Sequence, residues 1–279
     1  MKPYKKLLFI STAITIIILL LITSIDSKNQ ITIYQLETNK INTSLTIALV
    51  SDFHNNQYNK QDESVQELAQ EILQEKPDLI ILVGDLFQEE TSNQKTLQLF
   101  QELQNHDHIY YVTGNHEYWS GKINDLDMLL KQYNIKRLQG NIATFSKDGN
   151  SIILSGLDDP EIGNTAYEKQ YNNLKNNLNT KNYNILLAHR PERLPEYLDL
   201  GVDLTLSGHA HGGQIRIPFL LKEGLIAPNQ GLFPQRTGGI YYDEKMIHIV
   251  SKGLGDSLPL PRLFNSKELV IIKINQSVN

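Results

Sequence analysis

Five short apolar runs in this sequence each end in side chains that can bind a metal ion or carry a proton. The run ends are Asp52-Phe53-His54, Gly84-Asp85, Gly114-Asn115-His116-Glu117, His189 and Gly208-His209-Ala210-His211. Short apolar runs are typical of buried strands, and open α/β folds bind ligands beyond the carboxyl ends of parallel strands. We therefore expect these polar groups to converge on one site.

The candidate metal ligands are all oxygen and nitrogen donors. They are Asp52, His54, Asp85, Asn115, His189, His209 and His211. This set is too large for one tetrahedral zinc ion and suits two octahedral or five-coordinate divalent ions. Two ions about 3.5–4 Å apart, bridged by a carboxylate and a hydroxide, would suit in-line displacement at phosphorus.

Successive βαβ units must position these groups. Asp85 follows Asp52 by 33 residues and Asn115 follows Asp85 by 30, which is the length of such units. Right-handed crossovers keep the carboxyl ends of the strands on one side. Apolar patterns predict strands at 31–36, 45–50, 79–83, 109–112, 142–146, 152–157, 185–188, 202–206, 241–251 and 269–274, and helices around 65–73, 97–103, 123–133, 167–178 and 191–198. Two αβ halves fit this order better than two separable domains, and residues 212–239 are expected to form a long ordered loop over the site.

The composition excludes several kinds of site. The chain has no cysteine, so disulfides, thiolate zinc sites and cysteine nucleophiles are ruled out. Beyond the three lysines that precede residue 7, 23 basic and 31 acidic residues remain. A domain of this acidity without a basic run is a poor nucleic-acid binder, so we expect no nucleic-acid partner.

The N-terminus has the pattern of a membrane anchor. Lys2, Lys5 and Lys6 precede an uncharged stretch from Leu7 to Ile25, which as a helix would span about 28 Å, close to a bilayer core. A cleaved signal peptide is the alternative, although no clear small-x-small site follows. The lysines predict a cytoplasmic N-terminus and a single-pass protein of the cell membrane with an extracytoplasmic catalytic domain. The predicted divisions are an anchor at 1–26, a tether at 27–44 and a catalytic domain at 45–275.

In order and spacing, the five blocks resemble the signature of the calcineurin-like metallophosphoesterases over roughly residues 45–275. Three further segments resemble a membrane-linked bacterial branch of that family: Gly212-Gly213-Gln214, Ala227-Pro228 to Phe233-Pro234, and Ser251-Lys252-Gly253-Leu254-Gly255. The resemblance implies an α/β fold, a four-layer αββα sandwich. Relatives in that branch include enzymes that split the pyrophosphate of UDP-2,3-diacylglucosamine, which makes a lipid-linked substrate a candidate.

The resemblance also implies roles for individual residues. One metal would be held by Asp52, His54, Asp85 and His211, and the second by Asp85 as the bridge with Asn115, His189 and His209. His116 would donate a proton to the leaving oxygen, and Glu117 would supply the carboxylate that orients His116 or raises its pKa. Lys252 could meet the anionic substrate, as a charge without the bidentate recognition of an arginine.

The hypothesis from the sequence is a membrane-anchored hydrolase in which a metal-bridged hydroxide cleaves a phosphodiester or pyrophosphate. The cofactors would be two divalent ions, and the ligands suit Mn, Zn or Fe equally. Two alternatives stay open: a catalytically idle metal-binding or interaction module at the cell envelope, and a metallohydrolase that cuts a bond other than a phosphate ester.

Overall fold

The computed structural model describes Tyr4, Thr12 and residues 30–56, 64–89, 92–121, 123–256 and 261–277. The predicted anchor, Leu7–Ile25, lies outside the described residues apart from Thr12. Among the described residues, no helix has the length and apolar character needed to cross a membrane.

Six strands form the first sheet: β1 (Gln30–Thr38), β2 (Leu45–Val50), β3 (Leu79–Val83), β4 (Ile109–Val112), β5 (Ile135–Arg137) and, from the end of the chain, β14 (Glu268–Gln276). Their order is β1-β14-β2-β3-β4-β5. Strands β2 to β5 are parallel, β14 is antiparallel to β2, and β1 pairs with β14 in parallel. The continuous apolar runs of β2, β3 and β4 give these strands the predicted bounds, because both of their faces are buried.

Eight further strands follow in the second half: β6 (Ile142–Lys147), β7 (Asn150–Leu157), β8 (Tyr183–Ala188), β9 (Leu204–Ser207), β10 (Ile226–Ala227), β11 (Gly231–Leu232), β12 (Gly239–Asp243) and β13 (Met246–Val250). Six of them form the second sheet in the order β12-β13-β9-β8-β7-β6. The predicted hairpin is present as antiparallel β6 and β7. The single strand predicted over 241–251 is instead the hairpin of β12 and β13, which turns at Glu244-Lys245.

The helices are α1 (Val65–Gln74), α2 (Gln94–Leu103), α3 (Asn115–Trp119), α4 (Ile123–Gln132), α5 (Asn164–Asn177) and α6 (Leu194–Leu200). Helix α1 begins at Ser64, whose hydroxyl accepts from the Glu67 amide while the Glu67 carboxylate accepts from the Ser64 amide. Its buried residues are Val65, Leu68, Ala69 and Ile72, whereas Leu73 is 40% exposed because it lies at the edge of the apolar stripe.

Three apolar cores separate four layers. The largest lies between the two sheets and combines residues such as Ile47 and Ile81 of the first with Leu154 and Leu187 of the second. A second core packs α1, α2 and α4 on the outer face of the first sheet, and a third packs α5 and α6 on the second sheet. The architecture is therefore the expected αββα sandwich.

Candidate metal centre

The candidate ligands lie just beyond the carboxyl ends of β2, β3, β4, β8 and β9. Five of them have a left-handed backbone, with φ between 47° and 69°: Asp52, His54, Asp85, His209 and His211. Such conformations cost a residue with a Cβ atom free energy and persist only where the surroundings hold them. Their concentration at one edge marks this edge as the functional part of the fold.

The structure brings Asp52, His54 and His211 together in one cluster. One potential ligand atom from each lies within 4.8 Å of the other two. His211 Nε2 is 3.5 Å from Asp52 Oδ1 and 3.3 Å from His54 Nε2. All three side chains are buried.

A second cluster contains Asp85, His189 and His209, again within 4.8 Å of one another. His189 Nε2 lies 3.0 Å from Asp85 Oδ2 and 4.0 Å from Asp52 Oδ1, so the two clusters adjoin. Asn115 follows β4 at the start of α3, and its Oδ1 atom is buried without a hydrogen-bond donor among the described residues. A buried acceptor without a partner is costly, and a cation would satisfy it.

Neighbouring acceptors select the nitrogen that each histidine presents. His54 Nδ1 donates to Gln88 Oε1 at 3.0 Å and His189 Nδ1 donates to the Val83 carbonyl at 2.9 Å, which turns Nε2 of each ring toward the two clusters. His209 Nε2 instead donates to Asn229 Oδ1 at 2.8 Å, which leaves Nδ1 free. Partners of this kind fix the tautomer and ring orientation of metal-binding histidines.

Glycines allow other segments to approach Asp52 closely. A Cβ atom at Gly208 would lie 2.3 Å from Asp52 Oδ2, and one at Gly253 would lie 2.5 Å from Asp52 Cβ. The Asp52 carboxylate also accepts from the His209 amide at 2.9 Å and from the Ser51 hydroxyl at 2.6 Å. The Ser251–Gly255 segment is therefore packed behind the first cluster.

Burial and charge act in opposite directions on these groups. Burial lowers the pKa of His54 and of His209 to about 3, which keeps both imidazoles in the neutral form that binds metals. Burial also raises the pKa of Asp52 to about 6. Burial lowers the pKa of His189, but the negative charges of Asp85 and Asp52 outweigh burial and raise it to about 10. The site thus attracts positive charge.

His116 lies beside both clusters. Its Nε2 atom is 3.9 Å from Asp85 Oδ2, and its ring meets the His54 ring edge to face with centroids 4.5 Å apart. Its Nδ1 atom donates to Glu89 Oε2 at 2.9 Å. Glu89 is therefore the carboxylate that orients His116.

Glu117 does not have the role that the sequence suggested. Its buried carboxylate accepts hydrogen bonds from the backbone amides of Asp85, Leu86, Phe87 and Gly114, at 2.6–3.3 Å. Adjacent residues of a helix point in different directions, so Glu117 on α3 faces the β3 turn while His116 faces the clusters. The expected contact between Glu117 and His116 is replaced by the Glu89 contact.

Lys252 is occupied by another partner. Its Nζ atom lies 3.2 Å from Glu268 Oε2, and its side chain is 14% exposed. The Lys252 amide donates to the other oxygen of the same carboxylate. This ion pair ties the Ser251–Gly255 segment to β14, which is a structural contact rather than a free cation facing a substrate.

Besides Glu89, sequence reasoning missed Gln88, Asn229 and Arg262, which also support the site. Arg262 is buried, donates to the Lys252 and Gly255 carbonyls, and has Nη2 3.2 Å from His211 Nδ1. None of the three follows an apolar run, so the pattern that identified the ligands could not find them. Of the three, only Asn229 had a signal in the sequence, because it lies in the loop that was predicted to cover the site.

The donor set fits divalent metal ions. It combines carboxylate oxygens, an amide oxygen and imidazole nitrogens, which together suit Mn, Fe or Zn. The Asn115 oxygen, which has no donor among the described residues, and the ring orientations of His54, His189 and His209 agree with that use. Asp85 lies between the two clusters and could serve both.

Comparisons with known proteins agree with this geometry. Residues 45–213 match the model of the family described as calcineurin-like phosphoesterase. The chain is 32% identical over 244 residues to an uncharacterized metallophosphoesterase of Campylobacter jejuni, covering 85% of this chain and 61% of that one, so it spans less than two thirds of that relative. It is 31% identical to an uncharacterized metallophosphoesterase of Aquifex aeolicus, covering 88% of this chain and 92% of the relative.

A solved structure shares the fold. The 5'-nucleotidase precursor of Thermus thermophilus aligns with a TM-score of 0.51 over 76% of this chain and 50% of that chain, at 17% identity. This level of identity is evidence for the fold alone. The match of more than half the chain to the family model does more: this chain belongs to the calcineurin-like phosphoesterase family.

Proposed function

We propose that the protein is a dinuclear metallophosphoesterase that hydrolyses a phosphodiester or pyrophosphate bond. The observation that carries this proposal is the pair of adjoining donor clusters, Asp52-His54-His211 and Asp85-His189-His209, with the unpaired Asn115 oxygen beside them. Asp52, His54, Asp85 and His211 would hold one ion. Asp85, Asn115, His189 and His209 would hold the other.

Two bound ions would supply Lewis-acid activation of water and neutralise charge on the phosphoryl oxygens. The chain's own residues do the rest. Burial of the clusters excludes bulk water, and the left-handed turns hold five of the seven donors toward the same space.

His116 is the proposed proton donor to the leaving oxygen. Its Nδ1 proton is held by Glu89, so Nε2 faces the clusters. The Glu89 contact fixes the orientation of the ring, so that the proton donated to the leaving oxygen is the one on Nε2, and a positioned acid of this kind contributes about 10²–10⁴ in rate.

The sequence supports a membrane-bound setting for this activity. The uncharged stretch Leu7–Ile25 with lysines ahead of it fits a single-pass anchor and an extracytoplasmic catalytic domain. Such an anchor suits a lipid-linked phosphate or pyrophosphate ester, of which UDP-2,3-diacylglucosamine is one candidate.

Turnover of bis-p-nitrophenyl phosphate by the full chain tests the proposed chemistry. The protein is stripped of metal and then reloaded with Mn²⁺ or Zn²⁺. We expect metal-restored turnover in the wild type and loss of about 10²-fold or more in His116→Ala and in Asp85→Ala, with the fold retained. Near-normal turnover in both variants would overturn the mechanism, and silence of a folded, metal-loaded wild type would favour an idle binding module.

A further inference from the structure

An exposed apolar surface lies next to the metal centre. We call it the apolar rim and define it by Ile217, Phe219, Leu220, Ile226, Leu232 and Phe233, which are 41–98% exposed. Ile217, Phe219 and Leu220 lie on one turn, in which the Leu220 amide donates to the Ile217 carbonyl, and the other three lie on the β10–β11 hairpin, where Ile226 pairs with Leu232 and the Phe233 amide donates to the Leu225 carbonyl. Large apolar side chains exposed together within one loop are typical of an interaction site.

The apolar rim adjoins the metal centre. The tip of the β10–β11 hairpin carries Asn229, whose side chain holds the candidate ligand His209. The Arg216 amide, directly before Ile217 of the rim, donates to the Leu263 carbonyl, and two residues further on Asn265 Nδ2 donates to the His211 carbonyl at 2.7 Å. Whatever covers the rim therefore lies over the mouth of the site.

The start of β1 lies at the same edge of the molecule. The Gln30 amide donates to the Lys267 carbonyl, four residues beyond Leu263. Only residues 26–29 separate Gln30 from the uncharged Leu7–Ile25 stretch. Five steps of extended chain reach roughly 17 Å, so a membrane-embedded stretch would hold this edge of the sandwich close to the bilayer surface.

The backbone holds three phenylalanines of this edge in unusual conformations. Phe219, Phe233 and Phe264 have φ of 67°, 57° and 48°, and they are 98%, 66% and 38% exposed. A left-handed backbone is strained for a bulky residue, and in water these exposed rings gain no burial in return. Insertion of the rings into an apolar phase would provide that burial.

The charge of the segment also suits a membrane. Residues 214–239 carry Arg216, Lys222 and Arg236 against one acid, Glu223, in a chain of net charge −5, and Arg236 is paired with Asp243 just beyond this segment. Lys222 is exposed within the rim. Basic residues among exposed apolar and aromatic ones are typical of surfaces that dock on anionic lipid.

We propose that the apolar rim seats on the surface of a lipid bilayer, so that the metal centre opens at the level of the lipid headgroups. The docking of the rim on lipid does not depend on the proposed phosphoesterase activity. Its consequence, that the site acts on phosphate esters within lipid headgroups, rests on the proposed phosphoesterase function. A second copy of this chain is the competing occupant of the rim.

Fluorescent labels in the full-length chain test the docking. Because the chain has no cysteine, the variants Phe219→Cys, Phe233→Cys and Thr180→Cys each take one nitrobenzoxadiazole label. Thr180 is exposed at the opposite end of the sandwich, where its carbonyl accepts from Lys40 beyond β1. Each protein is reconstituted in phosphatidylcholine–phosphatidylglycerol vesicles that contain a nitroxide lipid.

We expect the nitroxide to quench about half of the fluorescence at positions 219 and 233 and almost none at 180, since interfacial groups lie within about 5–10 Å of the headgroup boundary. Equal quenching at all three positions, or none at 219 and 233, would overturn the proposal. Energy transfer between copies labelled at 219, without lipid quenching, would assign the rim to a second copy and would also overturn it.

Turnover measurements then test the consequence. The double variant Phe219→Asn/Phe233→Asn removes the rings and keeps the fold, because asparagine tolerates a left-handed backbone. Met128→Gln, which changes an exposed apolar residue of α4, is the matched control. We expect the double variant to hydrolyse CDP-diacylglycerol in vesicles about tenfold more slowly, with bis-p-nitrophenyl phosphate turnover unchanged.

An unchanged rate on the lipid substrate would overturn the claim that the rim delivers headgroups to the site. If the wild type hydrolyses neither substrate, the phosphoesterase function is refuted, and the fluorescence quenching still decides whether the rim docks on lipid.

Discussion

Glu89 and Glu117 both lie near His116, but they contact different groups. Glu89 Oε2 accepts from the imidazole itself, whereas Glu117 accepts from four backbone amides of the turns that carry Asp85 and Asn115. Changes at the two glutamates should therefore affect different properties of the protein.

Replacing Glu89 with glutamine should lower kcat on bis-p-nitrophenyl phosphate by about tenfold and leave KM nearly unchanged, because a hydrogen bond from His116 Nδ1 to a neutral amide oxygen is weaker than one to a carboxylate and holds the ring less firmly. Steady-state kinetics would measure kcat and KM, and unfolding curves would check that the variant keeps its stability. Glu168→Gln, at an exposed site of α5, serves as the control. Wild-type kcat in Glu89→Gln would remove Glu89 from the mechanism.

Replacing Glu117 with glutamine should instead lower the free energy of unfolding, by about 2–4 kcal/mol, since an NH₂ group takes the place of one oxygen and two buried backbone amides lose their acceptor. Urea denaturation of the metal-free protein measures this loss. Wild-type stability would show that the carboxylate does not support the two turns.

At the scale of the secondary-structure elements, glycines and a buried histidine connect packing to the site. Gly253 and Gly149 have nearly the same backbone, with φ of 78° and 77°, but only Gly253 lies against another segment, namely Asp52. His248 on β13 is buried with Nε2 2.9 Å from Ser207 Oγ, next to the turn that carries His209.

Alanine at either glycine introduces the same strain of about 1 kcal/mol for a left-handed residue. Gly253→Ala should lose more stability than Gly149→Ala and should also bind less metal, because its new Cβ atom displaces Asp52. Denaturation curves and metal content would be measured for both variants. Equal stability and equal metal content would contradict the tight packing behind Asp52.

The buried His248 should make stability sensitive to acid. Burial lowers its pKa to about 3, against an ordinary value of 6.5, so below pH 6.5 the unfolded chain takes up a proton that the folded chain refuses. This contribution is present above pH 6.5 and is lost as the pH falls toward 3; at pH 5 the loss is about 2 kcal/mol.

His248→Gln should therefore lose about 2 kcal/mol less stability than the wild type between pH 7 and pH 5. Urea denaturation at the two pH values gives the comparison, and the partly exposed His106→Gln is the control. Parallel losses in His248→Gln and the wild type would mean that His248 does not cause the acid sensitivity.

Over the whole molecule, the sequence predicted the strands best where both faces are buried. A continuous apolar run such as Leu79–Val83 predicts an interior strand. Asp85 and the other candidate ligands directly follow such runs, which is why the sequence could identify them. The three-residue β5 and the turn between β12 and β13 were missed because short or exposed segments lack a clear apolar period.

The supporting residues of the site depend on tertiary structure. Glu89 lies in an irregular stretch beyond the Asp85 turn, and Asn229 reaches His209 across 20 residues of loop. Adjacency in sequence favoured Glu117 as the partner of His116, whereas the helix directs the two side chains apart. Contacts between residues that are distant in sequence depend on how the whole chain folds, so no local sequence pattern predicts them.

The number of metal ions bound by the folded chain tests the dinuclear centre most directly. The purified full chain, reloaded with Zn²⁺ and freed of loose metal, would be analysed by elemental mass spectrometry against its protein concentration. The two adjoining clusters predict two ions per chain, and Asp85→Asn, which alters the residue between them, should bind fewer. One ion or none in the folded wild type would contradict the dinuclear site.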